Sequence, residues 1–232
     1  VEQQTVLSLH RARSGLMKSR VAQANQIRGL LAEFGIVVPQ GISNVFKEVP
    51  RLVDQAAEAD LPQPMRQLIQ RLMDHLRQLE RQVGELEVQI QHWHRLSAAS
   101  KRIEAVPGIG VLSASAFIAT VGDPKNFQDG RQVSAWMGLV PRQRSSGGKQ
   151  QLLGISKHGE VYLRTLFIHG ARSVVKAAMK KANRDERWRW LLELVMRRGI
   201  NIAAVALANK NARIAWPLLA HDREFRADYA GA

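Results

Sequence analysis

"MRQLIQRLMDHLRQLERQVGELEVQIQHW", Met65 to Trp93, carries an apolar residue at every third or fourth position. Met65, Ile69, Leu72, Leu76, Leu79, Val83, Leu86, Ile90 and Trp93 make up the series. Alternating steps of four and three keep these side chains on one stripe of a helix, in a heptad seam. Arg66, Arg71, Arg77, Glu80, Arg81 and Glu85 fall off the seam. The stretch therefore predicts a long coiled-coil helix, paired with the first helix of the chain or with another chain. His92 and His94 flank Trp93. Residues two apart on a helix diverge, so the pair predicts solvated helix ends and no metal site.

Upstream, residues 2–34 are rich in helix formers, with Leu9, Leu16, Met17, Val21, Ala24, Ile27 and Leu31 near helical spacing. Gly35 stops that helix, and "GIVVPQGISN" reads as a connector to a short helix ending near Ala57. Downstream, a second block starts near Ser97. It predicts helices over residues 132–137, 160–180, 185–198 and 201–215, the last ending before Pro217. Only Leu152 to Ile155 and a few residues around Arg142 look extended, so any sheet is small. The fold class is mainly α, divided into a helical region over residues 1–96 and a C-terminal domain over 97–232.

Composition narrows the function. There is no cysteine, which removes disulfides, thiolate catalysis and zinc–cysteine sites. No apolar run approaches a membrane span, so a membrane is not an expected partner. Lys and Arg number 34 against 20 acids, a formal charge of +14. Between Arg142 and Lys181 stand nine basic residues and a single acid, Glu160. That concentration predicts a polyanionic partner, and nucleic acid is the commonest one. An intracellular, soluble protein is the default expectation.

Two motifs carry this expectation. "IEAVPGIGVLSASAFIA", Ile103 to Ala119, fits a helix-hairpin-helix in which Ile103, Ile109, Ala114, Phe117 and Ile118 pack two short helices together. The Pro107-Gly108-Ile109-Gly110 turn would let backbone N–H groups approach a phosphate. The plain alternative is a glycine turn between packed helices. The second motif, "RQRSSGGKQQLLGISKHGEVYLR", sets Ser145 and Ser146 among Arg142, Arg144 and Lys149, with Lys157 and Arg164 further on. Cations near a serine hydroxyl can ease its deprotonation and offset charge on a phosphodiester. Chemistry alone favours phosphate binding over catalysis here, because Ser-Gly loops are common. Arg172, Lys176 and Lys180 recur at four-residue spacing and predict a basic stripe, with Leu163, Leu166, Phe167, Val174 and Ala178 facing the core.

The runs "VPGIG", "WMGLVPRQRSSGGKQQLLGISKHGEVYLRTLFIHGAR" and "ALANKNARIAW" resemble the insertion-sequence one-ten family of transposases, eleven-eleven subgroup. The resemblance extends over essentially the whole chain. It implies a coiled-coil region followed by a helical transposase domain, acting on DNA under a structured guide RNA. It also implies a serine that attacks DNA and holds it through a phosphoserine link, a role that falls on Ser146 with Ser145 as its neighbouring competitor. The family also places a RuvC-like domain, with an Asp-Glu-Asp-Asp set that binds magnesium, ahead of the coiled coil. No stretch here reads as that domain, so no cofactor is expected on this chain and magnesium only through the absent domain. Asp123 and Asp129 read as turn and cap residues. The chain alone is expected to bind nucleic acid and to fail at strand exchange.

Trp136, Trp188, Trp190 and Trp216 predict core packing, with Trp188 the best exception because Arg187 and Arg189 flank it. Asn209, Lys210, Asn211 and Arg213 read equally as a solvated face or a nucleic-acid contact. His158 could serve as a base, but no spacing fixes it near Ser146. Homo-oligomerisation through the coiled coil is expected. Two other readings stand beside the transposase: a non-catalytic DNA- or RNA-binding module that organises nucleic acid or regulates transposition, and a coiled-coil scaffold.

Overall fold

The computed structural model describes residues 2–57, 60–146, 149–180 and 188–226; the side chains of residues 145, 146, 149, 150 and 152 lie outside that description. The chain forms two compact units, one over residues 9–89 and one over residues 1–8 and 90–232.

The first unit is built on α1 (Glu2–Glu33), α2 (Ile42–Gln55) and α3 (Gln63–Leu96). Within it α1 and α3 run antiparallel, with Arg13 bonded to Glu87 and Arg20 to Glu80, each at 2.5 Å. His75 Nδ1 and Gln23 Oε1 lie 2.8 Å apart further along. The apolar seam is buried as its spacing predicts: Ile69, Leu76, Leu79 and Val83 are at most 5% exposed. Its partner is the chain's own first helix. Ala24, Ile27 and Leu31 of α1 meet Ile69, Met73 and Leu76 of α3, with Val45 and Val49 of α2 completing the core. Arg66, expected only to lie off the seam, donates to the carbonyls of Val53, Ala56 and Leu61. The carbonyls of Val53 and Ala56 are among those that a helix end leaves without partners, so Arg66 closes α2 and ties it to the segment at Leu61.

His10 of α1 is fully buried in this unit. Burial, and secondarily the Arg13 charge, hold its pKa down at about 4 against a usual 6.5. The unfolded chain therefore binds the proton more readily, so stability is complete above pH 6.5 and falls as pH drops from 6.5 towards 4. Urea titrations should show a loss of about 1 kcal/mol between pH 7 and 5.5. His10→Gln should flatten that loss; an equal loss in the variant would remove His10 as its source.

The second unit contains α4 (Ala98–Glu104), α5 (Val111–Val121), a 3-10 turn at Pro124–Asn126, α6 (Gly130–Trp136), a hairpin of β1 (Pro141–Ser146) and β2 (Lys149–Ile155), and α7 (Val161–Lys180), α8 (Arg189–Arg198) and α9 (Ile200–Ala220). The fold class is mainly α, with one two-stranded antiparallel sheet among the described residues. Small residues decide the centre. Ala203, Ala204, Ala208, Ala212 and Ala215 line α9 and are fully buried, which brings α4, α6, α7 and α8 close against it. Phe117 of α5 and Phe167 of α7 stack with centroids 5.7 Å apart in the same core.

Two local expectations need correction. α9 does not stop before Pro217 but runs through it to Ala220. Proline has no N–H for the carbonyl of Arg213, four residues earlier. The backbone there lies against Gly130, where a Cβ would sit 2.4 Å from the Arg213 oxygen. The prolyl position thus falls where α6 packs, and α9 keeps its course. His94 is not a solvated helix end: it is 4% exposed, with Nδ1 2.7 Å from Ser100 Oγ and Nε2 2.8 Å from Glu104 Oε2. This Ser–His–Glu row ties α3 to α4, and Ser100 is fully buried, so its hydroxyl meets no substrate. The helix expected over residues 185–198 is described from Arg189 to Arg198, and residues 185–187 lie outside the described residues.

Candidate nucleic-acid interface

The β1–β2 hairpin rises from a crossing of two backbone segments. Gly138, with φ +71°, and Gly159, with φ +97°, make that crossing feasible: a Cβ on the first would lie 2.1 Å from His158 O, on the second 1.9 Å from Trp136 O. Ser156 N donates to Val140 O at 2.8 Å and Lys157 N to Gly138 O at 3.2 Å, which extends the ladder below the strands. Asn209 of α9 reaches Leu139 O at 3.3 Å. The hairpin base is therefore held on both sides.

Along the strands, Gln143 pairs with Leu152, Arg144 with Gln151, Ser145 with Gln150 and Ser146 with Lys149. Arg142 and Arg144 are exposed, as is Lys157 just below β2. Ser146 is thus paired directly across from Lys149 and Ser145 across from Gln150, and the register is irregular between Pro141 and Gln143. Gly147 and Gly148 lie outside the described residues.

The Pro107–Gly110 turn divides in two. Asn211 Nδ2 donates to Pro107 O at 2.8 Å. Gly108 has φ +92°, and a Cβ there would meet Asn211 and Val174 at 3.1 Å. Ile109 is 3% exposed. This half faces α7 and α9, so packing accounts for the glycine at 108. Gly110 is exposed, has open space where a Cβ would be, and starts α5 with no side-chain cap. Of the four turn residues, Gly110 is the exposed one.

On α7 the basic residues separate by direction. Arg164 is 7% exposed and its Nη1 donates to Met137 O at 2.9 Å, so it holds the end of α6 and offers no surface contact. Arg172 bonds Asn201 at 3.2 Å. Lys176 and Lys180 are exposed, and Leu163, Phe167 and Ala178 lie in the core opposite. Trp136, Trp188, Trp190 and Trp216 all pack against the core while keeping part of their surface exposed. Asn209 and Asn211, legible in sequence only as a polar cluster, turn out to hold the hairpin base and the glycine turn. An asparagine pair two apart in an alanine-rich helix was the signal for such a role.

Residues 100–188, which include the glycine turn, the serine hairpin and α7, match the sequence model described as transposase IS116/IS110/IS902 family. The chain belongs to that family. It is 49% identical over 225 residues to a probable family 20 transposase of Pseudomonas aeruginosa, covering 97% of this chain and 66% of that protein. It is 42% identical over 226 residues to the transposase for insertion sequence element IS1111A of Coxiella burnetii, covering 97% and 61%. A transposase for element IS1328 of Yersinia enterocolitica is 38% identical over 215 residues, covering 93% and 63%. The chain thus spans just under two thirds of the length of these relatives.

The family's expected magnesium finds no fit in this transposase-family chain: among the described residues no three His, Asp or Glu side chains gather as a metal site. Asp123 accepts from Lys125 N and Asp129 from Gln132 N, the capping roles their positions predict. No helix among the described residues is long and apolar enough to cross a membrane.

Proposed function

We propose that this chain is the nucleic-acid-binding and strand-joining part of an insertion-sequence transposase, with DNA and a guide RNA as partners and Ser146 as nucleophile. The register of the β1–β2 hairpin carries the reading. It pairs position 146 with Lys149, two residues along β1 from the exposed Arg144 and four from the exposed Arg142. Cations so placed offset the charge that grows on a phosphodiester under attack. The serine oxygen forms a bond to phosphorus, the sugar oxygen departs with a proton, and the hydroxyl proton passes to solvent. Magnesium has no ligand set among these residues, so no step here runs through it. The uncapped start of α5 at Gly110 favours a supporting role for the glycine turn, in which backbone N–H groups hold a phosphate without reading sequence. Arg142, Arg144, Lys157, Lys176 and Lys180 supply the electrostatic part.

The test joins the chain to a RuvC-like domain and looks for a covalent protein–DNA adduct on a denaturing gel. Ser146→Ala should abolish the adduct and keep duplex affinity, while Ser145→Ala should keep both. An undiminished adduct in Ser146→Ala discards that serine. Binding without any adduct leaves the non-catalytic module as the better reading. Log affinity of the chain for duplex DNA should fall against log salt by about 0.9 per phosphate neutralised. A flat response would favour a scaffold. Self-association through the α1–α3 pair is a separate expectation, measured by sedimentation.

A further inference from the structure

A second basic feature lies apart from the serine hairpin. The start of α6, the C-terminal half of α9 and residues 223–226 enclose a cleft of about 330 Å³. Small-molecule sites run from roughly 300 to 1,000 Å³, so the space admits a nucleobase. Ile214, Trp216 and Phe225 give it an apolar, partly aromatic surface. Arg131, Arg213 and Arg223 stand beside that surface and are exposed.

Its charge is not balanced from within. Asp129 also lines the cleft, but its carboxylate caps α6 by accepting from Gln132 N at 2.8 Å. Glu224 is the other acid in the lining. Among the described residues, no ion pair engages Arg131, Arg213 or Arg223. Lys210, which also lines the cleft, sits 5.1 Å from the Trp190 ring centroid. Burial, then the Arg213 charge, hold its ammonium below the usual lysine range. Positive charge is crowded there.

We infer that this cleft takes one unpaired nucleotide of a nucleic-acid strand, its base against Trp216 and Phe225 and its phosphate among Arg131, Arg213 and Arg223. The mixed lining selects this ligand. A bare phosphate makes no use of the aromatic surface, and a base inside a duplex has its faces already stacked. Single strands offer both a free base face and a backbone charge. The inference rests on the nucleic-acid reading above and adds a preference for unpaired strands; DNA and RNA share the chemistry.

Three fluorescent probes separate the possibilities: a single DNA strand of about 12 nucleotides, within the site sizes of such grooves, the RNA of the same sequence, and a blunt DNA duplex. Each is titrated by anisotropy against the whole chain. Phe225→Ala should weaken single-strand binding about tenfold, the worth of one stacked base, and leave duplex binding unchanged. Arg131→Gln, a change at an exposed side chain, should weaken single-strand binding several-fold through the same cleft. Loss confined to the DNA or the RNA probe identifies the strand that enters. If both variants keep full single-strand affinity while the duplex still binds, the cleft inference is overturned and the nucleic-acid reading survives. Absence of binding to all three probes by the unaltered chain overturns both.

Discussion

Gly170→Ala should lower the melting temperature of the second unit by roughly 6–12 °C, at 2–4 °C per kcal/mol for a chain of this size. The added methyl would sit 1.9 Å from the carbonyl oxygen of Gly108 and 2.9 Å from its carbon. Both are backbone atoms of the glycine turn, and that turn is pinned by the Asn211 bond to Pro107 O. It can yield only by moving off α7. We place the cost near the top of the range for overpacking, about 3 kcal/mol. Gly110→Ala is the matched control: its Cβ meets nothing within 4 Å and its φ of −97° is ordinary. That change costs under about 1 kcal/mol, as expected at an N-cap. Scanning calorimetry on the two variants decides it. Equal melting temperatures would mean that the turn does not dock as described.

Arg164→Ala should cost about 2–3 kcal/mol, because a buried carbonyl loses a charged donor. The guanidinium lies at the C-terminal end of α6, where its charge also complements the helix dipole. Gly138 leaves room for it: a Cβ there would come 2.8 Å from Nη1. The variant separates two roles that sequence alone could not. A phosphate contact would keep its melting temperature and lose affinity for DNA. A packing role predicts the reverse, with a transition lowered by roughly 4–12 °C and unchanged affinity of the folded protein. Arg144→Gln serves as the contrast, since its side chain is exposed on β1. It should lose affinity and keep stability.

Arg164 also illustrates what the linear sequence conveyed and what it withheld. Periodicity located α3 and its buried seam, because burial at every third or fourth residue is a local pattern. It could not choose the partner of that seam, which depends on charge pairs such as Arg13–Glu87, 74 residues apart. Density of positive charge marked residues 142–180 as a block. Direction within the block depends on the helical phase of each residue against α6 and α9, so Arg164 turned inward while Lys176 stayed out. The pairing of Ser146 with Lys149, and of Ser145 with Gln150, became legible only once the strand register was known. Arg131 and Arg223 drew no attention in the chain, since their cleft is assembled from segments about ninety residues apart in sequence. Pro217 misled for a physical reason: a proline ends a helix only when nothing else holds the next turn. Here α6 lies against it.

Two asparagines two residues apart on α9 grip the base of the serine hairpin and the glycine turn. Both features therefore share a single rigid mount, and neither can shift its spacing without disturbing the other. A strand engaged at both would have its phosphates indexed against a fixed gauge, with a set number of nucleotides between anchorage and reaction. Such a chain would measure position along a strand by the geometry of one helix.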